Sequence, residues 1–244
     1  MGWTSMRHLY WALSEVTRFG RPDITNADRP AGWRAWIAGV ALADGIVCWI
    51  AAAILCSLFG VRSIGVVISA AVICIWQNYV RKGKLSNGIT LLIRLLMRLN
   101  GVDETDQAWM VVARLLAMVL KPVLLVALFG MRRTGWLIPV SVLSTCIMLD
   151  MSGAVLKRRQ THSWKAVAHW IVAVVVCCLM GALCGVRFTL VSCVAIAAAF
   201  LLPPTVIRFS PFGEYDRQLL AKSLYLAFGE LAMLLVGILG FALR

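Results

Sequence analysis

The chain has 244 residues, 61% of them hydrophobic and 14% charged, with a mean hydropathy of +0.85. Soluble domains sit nearer half apolar and a quarter charged, so this composition excludes an ordinary soluble globule and indicates an all-α polytopic membrane protein. A net charge of +13 would suggest nucleic acid in a soluble chain; here basic loops facing anionic lipid account for it, and no nucleic-acid partner is expected.

Residues 1–33 are polar and basic and read as a cytoplasmic, interfacial segment. Over 7–19 the pattern predicts a helix with Leu9, Leu13 and Val16 on one face, lying in the membrane surface. Pro22 and Pro30 interrupt the chain beyond this helix. No signal peptide is expected, because the first twenty or so residues lack a continuous apolar core and a small-residue cleavage site.

Seven apolar runs come next, near 34–58, 63–80, 108–130, 135–151, 167–185, 188–207 and 223–243. Each approaches the roughly 20 residues that a spanning helix needs. Together they form a single polytopic domain over 1–244. Seventeen basic residues fall in the N-terminal segment and alternate connections; five, Arg62, Arg132, Arg133, Arg187 and Arg244, fall on the other side. Arg81, Lys82, Lys84, Arg94 and Arg98 are counted with the majority. This asymmetry places the N-terminus in the cytoplasm and the C-terminus outside, as expected for a multi-pass inner-membrane protein. The eight cysteines (Cys48, Cys56, Cys74, Cys146, Cys177, Cys178, Cys184 and Cys193) all lie in apolar runs, so packing is expected of them rather than disulfides or a zinc knuckle.

The longest charged stretch between apolar runs is 81–107. Within it Leu85, Ile89, Leu92, Leu96 and Leu99 recur at helical spacing, which predicts a cytoplasmic amphipathic helix. After it, Asp103, Glu104 and Asp106 form a tight acidic cluster. Closely spaced carboxylates beside phosphate-facing bases suit magnesium-dependent phosphoryl transfer, because the metal bridges phosphate and carboxylate oxygens. Glu214 and Asp216 form a second acidic pair at the mouth of the last span.

Ionisable groups inside a bilayer are costly and need partners or water. Five fall within the spans: Asp44, Arg114, Lys121, Asp150 and Glu230. Two acids and two bases among them suffice for pairing, with one acid left over; a polar cavity open to the cytoplasm is the functional alternative. Pro122 beside Lys121 is expected to kink its helix and free carbonyls at mid-depth. Pro139 and Pro203–Pro204 read the same way, and Gly181 with Gly185 as helix packing. His162 and His169 flank a basic connection and read as structural or interfacial.

The order of parts resembles the cobalamin synthase family, the adenosylcobinamide-GDP ribazoletransferases. MRHLYWALSEVTRFGRPDI is similar to that family's opening, and GWRAWIAGVALADG to the glycine-rich start of its first span. Asp103 and Lys121 stand where the family carries a Lys-Asp-Ser-Arg aspartate and a lysine of the third span. FGELAML is similar to the Glu-Leu-x-Glu of the last span, with Glu230 at its second acid; Asp216 stands about one turn before the family's Thr-Gly-Asp aspartate. The chain departs at the His-Leu-Asp-Gly signature, where GKLSNG places Asn87 at the aspartate and Gly88 at the glycine, and ITLLIRLL replaces the family's next acids.

The resemblance implies transfer of α-ribazole or its phosphate to adenosylcobinamide-GDP with release of GMP, hence corrinoid and nucleotide substrates. It implies magnesium held by Asp103, Glu104, Asp106 and Asn87, with Asp216, Glu230, Lys121 and Arg114 as catalytic residues, the last two neutralising phosphate. The alternatives are a catalytically degenerate membrane subunit or scaffold of that family, a homo-oligomer among its forms, and a small transporter using the intramembrane charges. A CDP-alcohol phosphotransferase is a further alternative, from LSNGITLLIRLL, but that family's spaced aspartates are absent.

Overall fold

A computed structural model describes residues 3–19, 35–59, 64–101, 107–156, 190–209 and 214–242, with single residues 175, 179 and 182. The described residues form an all-helical fold: α1 (Trp3–Val16), α2 (Ala35–Phe59), α3 (Ile64–Val80), α4 (Lys84–Leu99), α5 (Gln107–Gly130), α6 (Leu137–Leu156), α7 (Leu190–Phe209) and α8 (Glu214–Ala242). Among the described residues, three helices are long and apolar enough to cross a membrane: α2, α7 over 191–208 and α8 over 220–242. α3 and α4 meet that test only as a pair bent by 89°, which makes four if the pair is one span. The stretch Thr134–Leu149 is apolar but shorter. The expected span at 167–185 lies almost wholly outside the described residues, as do Gly181 and Gly185.

α8 is the central element. It packs against α4, α5, α6 and α7, and 67% of its apolar stretch is buried, against 22% for α2. Lipid is as apolar as leucine, so helices in a membrane associate where small residues let backbones meet. Gly88 of α4 lies against Ser223 and Ala227 of α8, where an added Cβ would stand 2.5 Å from the Ser223 carbonyl oxygen. Gly229 of α8 meets Ser144 of α6, and Gly45 of α2 meets Ile138 and Ser141 of α6. At the far end of α8, the Trp136 indole N–H donates to the Met233 carbonyl at 2.8 Å and stands edge-on to Phe241.

α3 ends in a Schellman closure. Gly83 N–H donates to the Asn78 carbonyl and Lys82 N–H to that of Tyr79, with Lys82 left-handed at φ 57° and Gly83 at φ 68°. α4 then leaves almost at a right angle. α1 docks beside this turn through Trp11, Ala12 and Val16, packed on Ile37 and Val40 of α2. The Lys82 and Lys84 ammonium groups donate to the carbonyls of Ser14 and Glu15, and Lys222 pairs with the Glu15 carboxylate. Cations are thus drawn to the end of α1 that carries unsatisfied carbonyls.

Pro122 does not break α5, which runs unbroken from Gln107 to Gly130, and Pro203–Pro204 lie inside α7. Pro139 sits in the first turn of α6, where no intrahelical N–H partner is lost. Cys48 and Cys56 are buried free thiols, whereas Cys193 is exposed on α7.

Candidate functional site: a buried charge quartet

Five helices converge on four charged side chains. Arg81, at the end of α3, donates from one terminal nitrogen to Asp44 Oδ2 of α2 at 2.8 Å and to Ser141 Oγ of α6 at 2.9 Å. Its other terminal nitrogen pairs with Glu230 Oε1 of α8. Glu230 Oε2 accepts from Lys121 Nζ of α5 at 2.8 Å. The chain Asp44–Arg81–Glu230–Lys121 therefore sums to zero charge. Its side chains are nearly sealed, from 7% exposed at Asp44 to 0% at Glu230. An isolated charge at such a position costs several kcal/mol or more, and each partner here offsets part of that cost for its neighbour.

Of the residues singled out in sequence, the structure brings together Glu230, Lys121 and Asp44. The cation joining them differs from the one expected: Arg81, assigned to an aqueous connection, is 2% exposed and sits between both acids. Arg114, expected among the paired charges, is exposed on α5. A signal for Arg81 was present. Arg114 lies only two turns into its helix and can reach the membrane surface, which leaves Asp44 and Glu230 sharing Lys121. A second cation was needed at depth, and Arg81 directly follows an apolar run. Gln77, one turn before Arg81, was also missed; it is buried, with the Cys48 thiol as a weak partner for its amide.

The expected metal site is not assembled from described residues. Asp103, Glu104 and Asp106 lie outside them, and so do the side chains of Asp150 and Asp216. Asn87 is exposed on α4. Asp216 and Glu230 belong to one continuous helix, α8, and at 1.5 Å per residue their backbones stand about 21 Å apart along it, too far to share one ion. Among the described residues no three His, Cys, Asp or Glu side chains gather as metal ligands. Glu230 has both oxygens engaged by cations, and Asp44 has one. That donor set suits guanidinium and ammonium, not a magnesium ion needing about six oxygen ligands.

A crevice of about 390 Å³ opens beside the quartet, between α3, α4 and α5, and Lys121 forms part of its wall. Comparison with protein-family models, curated proteins and solved structures finds no match to this chain.

Proposed function

We propose that this is a seven-span membrane protein, N-terminus cytoplasmic and C-terminus outside, that acts as a catalytically degenerate subunit or scaffold of the cobalamin synthase type. The span order, the opening segment and the FGELAML stretch support the relationship. The observation that carries the loss of catalysis is Glu230. The acid aligned with the family's last-span Glu is neutralised by Arg81 and Lys121, so it offers no oxygen to a metal and no base to a hydroxyl. Asn87, at the family's first aspartate, is neutral and exposed. The basic-residue asymmetry supports the orientation, and it survives removal of Arg81 from the majority side.

The second reading is the transferase itself, favoured by the sequence cluster Asp103, Glu104 and Asp106. One assay separates the two. Purified protein in lipid nanodiscs is given adenosylcobinamide-GDP, α-ribazole and magnesium, and GMP is measured. No release above empty nanodiscs is expected. Magnesium-dependent GMP release that disappears in Asp103→Ala overturns the scaffold reading in favour of the enzyme.

A further inference from the structure

We propose that the crevice between α3, α4 and α5 binds one anionic glycerophospholipid, its phosphate on Arg114 and one acyl chain in the cleft. This rests on the membrane character of the chain and not on its relationship to any enzyme. The walls are apolar: Ala71, Cys74 and Ile75 of α3 face Ala117, Met118 and Pro122 of α5. Ile75 and Met118 are 71% and 65% exposed, so the cleft opens sideways toward lipid. Its polar groups Asn78 and Ser86, whose side chains meet at 3.4 Å, lie beside the α3–α4 turn.

Arg114 gives the cleft its headgroup. Residues 114, 118 and 121 recur at four and seven, so Arg114 shares a helix face with Met118 and Lys121, one turn nearer the start of α5. It stands among exposed Val111, Leu115 and Met118. Among the described residues it has no ion pair. An arginine on a lipid-facing surface reaches for phosphate at the headgroup level. Lys121, deeper in, is already matched by Glu230. The inner wall therefore adds no unmatched charge, which suits a hydrocarbon tail rather than a second phosphate. The ester oxygens of the same lipid would fall at Asn78 and Ser86. A zwitterionic lipid carries its own cation and gains less from Arg114.

The test is native mass spectrometry of the purified protein, titrated with phosphatidylglycerol or phosphatidylcholine. One phosphatidylglycerol is expected to bind in preference. Arg114→Gln should weaken it about tenfold, the loss of one charge-assisted contact. Ala71→Phe, made from an exposed position, should abolish it by filling the cleft. Arg208→Gln, which removes an exposed arginine at the end of α7, should leave it unchanged. Equal retention of both lipids overturns the proposal, as does a preference untouched by either crevice variant. Full competition by tail-free glycerophosphoglycerol also overturns it, assigning the site to free phosphate esters.

Discussion

Glu230 has no exposed surface, and both of its oxygens face cations. Glu230→Gln therefore leaves buried Lys121 without its acid, while Arg81 keeps Asp44, and a loss of about 3–5 kcal/mol is expected in unfolding titrations from mixed micelles. A loss below about 1 kcal/mol would mean that water reaches the quartet. Gln77 presents the opposite case. Its buried amide has only the Cys48 thiol, a weak partner, beside it, so Gln77→Met keeps the volume and removes most of the desolvation cost. A gain of about 1 kcal/mol is expected in the same titration; a loss would reveal an ordered water on the amide. Arg132 holds the left-handed position after α5, at φ 56°, with its side chain exposed. Arg132→Gly should raise stability by up to about 1 kcal/mol, since glycine adopts that conformation without steric strain; any loss would show that the arginine side chain contributes more than its backbone costs.

At the scale of elements, contact between α4 and α8 depends on the absence of a side chain at Gly88. Gly88→Val would push backbone against backbone. A loss of roughly 1–3 kcal/mol is expected, with faster proteolysis of the α3–α4 turn; unchanged proteolysis would show that α4 holds its place by other contacts. Apolar run length located the described helices well, because burial in protein and exposure to lipid both demand apolar side chains. The run at 34–58 became α2 at Ala35–Phe59, and the leucine spacing over 85–99 became α4. The run at 223–243 became the apolar stretch 220–242 of α8, and the helix extends back to Glu214, beyond what apolar run length can mark.

For the whole molecule, hydropathy reveals depth but not which side chains face inward. Depth identified Asp44, Lys121 and Glu230. It could not show that the right-angle turn after α3 folds Arg81 back between Asp44 and Glu230. Orientation is open to direct test: phosphatase fused after Arg244 should be active outside the cell and fluorescent protein fused there dark, and the reverse would contradict the N-in, C-out arrangement. The arrangement of the whole bundle depends on Arg81 being an interior bridge and not a surface charge. A double-mutant cycle of Asp44→Asn and Arg81→Gln measures that directly. A coupling of about 2 kcal/mol or more is expected for a pair sealed inside the bundle. Additivity to within about 0.5 kcal/mol, the behaviour of a solvated pair, would contradict it.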